Sequence, residues 1–156
     1  MEIYNSFQTS VKKALDEIDI NWPKYRGLII CGTHNPEDTE RLIDKIKIAR
    51  ELNLPYLGIC FGHQIAAIEY ARNVLGIKDA TSEEFGEGTF VVKKRQDLKV
   101  GLHDGESYWN NYEVVLDKWE NPENFFTSQF HPEYESSIDK PHPLLVKFID
   151  YAKSFK

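Results

Sequence analysis

Leu57-Gly58-Ile59-Cys60-Phe61-Gly62-His63-Gln64 decides how this chain is read. A short apolar strand runs into a Gly-x-Cys-x-Gly turn, and a helical pattern follows at once, through Phe61 to about Leu75. This is the strand–elbow–helix layout in which a nucleophile sits on a tight, strained turn. Side chains at Gly58 and Gly62 would collide where strand and helix cross. A cysteine at a helix N-terminus faces the positive end of the helix dipole, which favours the reactive thiolate. The backbone N–H of Phe61 follows the nucleophile and points to where an oxyanion would form. A lone cysteine in such a chain is more often a packing residue, but the paired glycines and the strand–helix context favour a nucleophile at Cys60.

Outward from the elbow, strand-like and helical segments alternate, which predicts an α/β layered domain. The first helix is expected from about Ser6 to Glu17, with Ser6 as its cap. Gly27 to Cys31 reads as a wholly apolar strand of the kind buried in a parallel sheet. Asn35-Pro36-Glu37-Asp38 opens a second helix, which Asn53 and Pro55 stop, and Tyr56 to Ile59 is the next strand. Strands are expected at Thr89–Lys94, Tyr112–Leu116 and Asn124–Phe130, with loops rich in Gly, Asp and Asn in the middle of the chain. Pro143 to Phe155 reads as the closing helix. With 156 residues and no linker or repeat, a single domain over 1–156 is expected.

A cysteine nucleophile requires a base, and the base requires an orienting group. Of the five histidines, His131 has the strongest case. It stands in Gln129-Phe130-His131-Pro132-Glu133, directly after an expected strand. In an extended segment, residues two apart point the same way, so Glu133 can hold one imidazole nitrogen and leave the other for Cys60. The strand end also places His131 on the sheet edge where the elbow lies. His63 is expected to shape the elbow, His34 to stand near the pocket, and His103 and His142 to lie at the surface. Cys31 ends an apolar strand without flanking glycines on both sides and reads as a packing residue.

These residues carry a resemblance. Gly58-Ile59-Cys60-Phe61-Gly62-His63-Gln64 with Phe130-His131-Pro132-Glu133 resembles the class I glutamine amidotransferases. Within them the chain looks most like the glutaminase domain of CTP synthase, through Ile48 to Phe85, Ser128 to Ser136 and Pro141-His142-Pro143. The resemblance implies a flavodoxin-like layered fold with a mostly parallel central sheet flanked by helices. It implies a Cys60–His131–Glu133 triad that hydrolyses the side-chain amide of glutamine to glutamate and ammonia through a thioester. Gln64 would help hold glutamine, and Glu84 would meet its α-amino group, a cation that suits a carboxylate. Gly32 and Thr33 would complete the oxyanion hole with Phe61.

The sequence also departs from that pattern. Residues 1–156 hold no counterpart of the large synthetase domain of CTP synthases, so they are not expected to make CTP by themselves. The first strand is missing or reduced to Glu2-Ile3-Tyr4. Thr33 replaces an oxyanion-loop glycine, and a β-branched residue resists φ > 0. Asn111 stands near the place of an arginine that clamps the α-carboxylate of glutamine. Loss of one charge-assisted contact costs about 1.5–3 kcal/mol. The expectation is an intact reactive centre inside an altered substrate pocket, in which Trp109, Tyr108 and Asn111 shape a less charged wall.

Three readings follow. The first is a glutaminase that supplies ammonia to a separate synthetase partner, or works as a homodimer. The second is a hydrolase of a different amide or γ-glutamyl compound with the same triad. The third is a non-catalytic regulatory or binding paralogue, against which the complete triad argues. A net charge of −6 argues against a nucleic-acid partner, and no apolar run approaches membrane-spanning length. Two free cysteines and an N-terminus without a signal-peptide pattern point to the cytoplasm. Nothing in the histidine or cysteine spacing suggests a metal, and no cofactor is expected.

Overall fold

The continuous apolar runs of the short central strands dictate how the chain layers. In the computed structural model, which describes residues 1–155, strands β1 (Glu2–Tyr4), β2 (Leu28–Ile30), β3 (Tyr56–Ile59) and β7 (Phe125–Ser128) form one sheet in the order β1-β2-β3-β7. All three pairings are parallel. Successive side chains on a strand face opposite sides, so both faces of these strands must be covered. Leu28, Ile30 and Tyr56 pack against helices α2 (Thr39–Glu51) and α3 (Phe61–Asn73) through Leu42, Ile43, Ile46, Ile65 and Ile68. Ile29, Leu57 and Ile59 pack on the other face against α1 (Gln8–Ile18) and α4 (Pro143–Ser154) through Val11, Leu15, Leu145 and Phe148. The result is the expected α/β layered fold with a parallel sheet between helices. The first strand is reduced to three residues, and these still pair with β2 from Glu2↔Leu28 to Tyr4↔Ile30.

A second sheet packs against α3. Strand β4 (Ala80–Ser82) runs parallel to β5 (Thr89–His103), and β5 pairs antiparallel with β6 (Glu106–Val114). This corrects the reading of the middle as two short strands separated by loops. Asp104 and Gly105 have φ of 53° and 82° and close a two-residue hairpin turn, the conformation that type I′ turns require. The hairpin was hidden because β5 buries only Val91 and Val92, so its outer half lacks a core face.

Two helix starts also differ from expectation. Helix α1 is preceded by Phe7 with no side-chain cap, because the Ser6 hydroxyl pairs instead with Thr33 Oγ1 at 3.0 Å. Helix α2 begins at Thr39, after the whole Asn35–Asp38 stretch expected to open it, with Asp38 left-handed at φ 53°. No helix among the described residues is long and apolar enough to cross a membrane.

Candidate active site

The elbow follows from steric limits on three residues. Cys60 stands between β3 and α3 at φ 55° and ψ −99°. Such a backbone costs a non-glycine residue on the order of 1–3 kcal/mol and persists only where its surroundings impose it. Here they do. A Cβ at Gly62 would lie 2.1 Å from Ile30 O, and one at Gly58 would lie 2.8 Å from Gly62 O. The buried Tyr56 hydroxyl donates to that same Gly62 carbonyl at 2.7 Å. The Cys60 N–H donates to Ser128 O at 2.7 Å, which ties the elbow to β7. Both glycines therefore act as the sequence suggested: they let helix, strand and turn approach without a side chain between them.

Cys60 is 8% exposed and faces a cleft. Its Sγ lies 3.5 Å from Trp109 O and 3.5 Å from Gln129 Nε2. In the thiol form the S–H points to the Trp109 carbonyl. The Gln129 amide donates toward the sulfur, and its own Oε1 accepts from Gln64 Nε2 at 3.3 Å.

His131 follows β7, and its N–H donates to Ser107 O of β6 at 2.7 Å. Its Nδ1 lies 2.6 Å from Glu133 Oε1, and both side chains are buried. Glu133 stands on a 3-10 turn, Pro132–Tyr134. His131 Nε2 is buried and makes no regular hydrogen bond. Burial alone would drive the proton from the ring. Proximity to Cys60, with the hydrogen bond and charge of Glu133, outweighs burial and raises the His131 pKa to about 10. The imidazole therefore carries its proton at neutral pH, beside Cys60.

The remaining expected residues fall around this pair. A Cβ at Gly32 would lie 3.0 Å from His131 Cε1 and 3.1 Å from Phe7 Cδ2, so a side chain there would press on the His131 ring. Thr33 is not among the residues of positive φ; its hydroxyl holds Ser6 and the Asn35 N–H, and the anticipated conflict with a β-branched residue does not arise. Thr33, Phe61, Gln64, Glu84 and Asn111 all line the cleft beside Cys60. Phe61 opens α3, so its N–H has no partner within the helix. Gln64 Nε2 is committed to Tyr112 O at 3.0 Å, which fastens β6 over the elbow. Burial raises the pKa of Glu84.

Two residues near Cys60, Asn110 and Gln129, have no role assigned from the sequence. Asn110 is buried, whereas its neighbour Asn111 is exposed. Gln129 reaches the sulfur, although it stands inside the quoted Gln-Phe-His-Pro-Glu motif. His34 and Trp109 meet at 5.4 Å between ring centroids at the rim. His63 lies behind the elbow, with Nδ1 3.0 Å from Thr127 Oγ1, and burial lowers its pKa to about 4. A larger cleft of about 600 Å³ opens between the starts of α1 and α2. It is lined by none of Cys60, His131 and Glu133, so the smaller cleft is the candidate site.

Residues 4–119 match the family described as Glutamine amidotransferase class-I. The chain is similar to the CTP synthase of Methanoculleus marisnigri, with 30% identity over 99% of this chain and 42% of that protein. It is also similar to the CTP synthase of Methanothrix thermoacetophila, with 32% identity over 83% of this chain and 33% of that protein. The chain thus spans well under half the length of these curated relatives. Among solved structures, the Trypanosoma brucei CTPS glutaminase domain with bound acivicin superposes with a TM-score of 0.81. That match covers 99% of this chain and 93% of the other at 21% identity, and it shows a shared fold.

Proposed function

Because the chain belongs to the class I glutamine amidotransferase family, we propose that it hydrolyses the side-chain amide of glutamine to glutamate and ammonia, with Cys60 as nucleophile. The observation that carries this reading is a strained elbow cysteine beside a buried His131–Glu133 pair whose ring holds a proton at neutral pH.

The thiolate of Cys60 adds to the amide carbon, and the carbonyl electron pair moves to oxygen. The oxyanion is met by the backbone N–H groups of Phe61 and the Gly32-Thr33 loop. His131 gives its Nε2 proton to the amide nitrogen, the C–N bond breaks and ammonia leaves, with a thioester remaining on Cys60. The neutral imidazole then takes a proton from water as the water attacks the thioester. The C–S bond breaks, glutamate departs, and the thiolate–imidazolium pair is restored. Glu133 keeps the ring in one orientation and stabilises its charge. Glu84 holds the substrate's ammonium, with Gln64 and Asn111 along the cleft wall.

We further propose that residues 1–156 act as one glutaminase domain and that ammonia passes to a separate synthetase partner. The relatives named CTP synthase, of which the chain spans at most about two fifths, support that partnership. Release of glutamate and ammonia in equal amounts from glutamine, absent in Cys60→Ala, tests the reading. No release above the Cys60→Ala level at millimolar glutamine would overturn it for the isolated chain.

A further inference from the structure

The cleft beside Cys60 carries a carboxylate and neutral polar groups but no fixed cation to pair with an anion. Among the described residues, no lysine or arginine lines it. Its one carboxylate, Glu84, makes no ion pair and is partly desolvated. His34 is the single lining side chain able to become a cation, and it stands exposed at the rim against Trp109.

Asn110 adds an independent observation. It is 4% exposed and lines the cleft. Its Nδ2 donates to Tyr112 O at 2.9 Å, which fixes which end of the amide is oxygen. The Oδ1 is buried and has no partner. A buried acceptor without a donor is costly and calls for a ligand or water to satisfy it. The backbone carbonyl of Trp109 faces the sulfur, and that of Tyr112 is already taken twice. The wall offers neutral donors but no lysine or arginine, and it keeps one buried acceptor, Asn110 Oδ1, without a donor.

A free α-carboxylate would bring a charge and acceptors into a wall that already holds both. We propose that the site prefers a glutamine unit whose α-carboxyl group is itself an amide, as in a glutamine α-amide or a peptide-linked glutamine, with that amide's N–H donated to Asn110 Oδ1. The ammonium still meets Glu84 and the side-chain amide still meets Cys60, so the inference rests on the proposed hydrolysis and names its substrate class. Asn110 then sets specificity, and the chemistry of Cys60 and His131 is unchanged.

The test compares glutamine with glutamine α-amide. The product is identified by mass spectrometry as isoglutamine, so that loss of the α-amide is not counted. A missing hydrogen bond or charge partner is worth about tenfold or more in affinity. The kcat/KM for the α-amide is therefore expected to exceed that for glutamine by at least about tenfold. Asn111→Arg, which places a cation on the same wall, is expected to move that ratio toward glutamine, and Asn110→Leu to lower α-amide turnover alone. Equal or better use of glutamine by the unmodified chain would overturn the proposal. Binding to Cys60→Ala by calorimetry separates the two readings. Tighter binding of the α-amide there, with neither compound hydrolysed by the wild type, would keep the specificity and remove the hydrolysis. Equal or absent binding would overturn the specificity.

Discussion

His131 Nδ1 and Glu133 Oε1 stand 2.6 Å apart across a single proline, buried together beneath α1. The short sequence separation leaves little entropy to lose in forming the pair, and burial strengthens it. Against the cost of burial, Cys60 and Glu133 together keep a proton on the ring until the pH reaches about 10.

Glu133→Gln tests that relationship. The ring loses its charged partner, and kcat is expected to fall by on the order of 10²–10⁴. The alkaline limb of the pH–rate profile, expected near pH 10 in the parent chain from the raised His131 pKa, is expected to move to lower pH. The linkage has a definite sign. The folded pKa lies above the ordinary histidine value of about 6.5, so this stabilisation is fully present below that value and is lost as pH rises through about 10. An unmoved alkaline limb in Glu133→Gln would remove Glu133 from the account.

The two cysteines are expected to differ in reactivity. Cys31 is wholly buried, and burial pushes its thiol far above the usual range. Cys60 opens to the cleft at a helix N-terminus. Iodoacetamide at neutral pH should modify Cys60 in the folded protein and Cys31 only after denaturation. Peptide mapping that finds Cys31 modified first would contradict this.

Gly62→Ala should cost more than about 3 kcal/mol in urea denaturation, since a rigid carbonyl occupies the space and overpacking of this kind is poorly absorbed. Gly76→Ala is the control. Nothing lies within 4 Å of a Cβ there, but φ is +75°, so only the backbone term of about 1–2 kcal/mol is expected. Equal losses at the two positions would show that the elbow is less crowded than described.

The elbow and the parallel sheet were legible because their information is local. Gly58, Cys60 and Gly62 sit within five residues, and the apolar runs Leu28–Ile30 and Tyr56–Ile59 need both faces covered. What escaped depends on distant partners. The Ser6 hydroxyl had a helix to cap and found Thr33 instead. The choice between Asn110 and Asn111 turns on strand parity, and the β5–β6 register that sets it shifts between Lys94 and Lys99. The Trp109 carbonyl that faces the sulfur is a backbone group, which no side-chain pattern announces.

The central claim is a covalent bond through Cys60. Acid quenching during turnover of glutamine, followed by intact-mass and peptide mass spectrometry, tests it most directly. A glutamyl thioester on the Cys60 peptide, lost in Cys60→Ala and accumulating in variants that slow its hydrolysis, is the expected result. Glutamate release that continues in Cys60→Ala with no adduct on any cysteine would contradict the account.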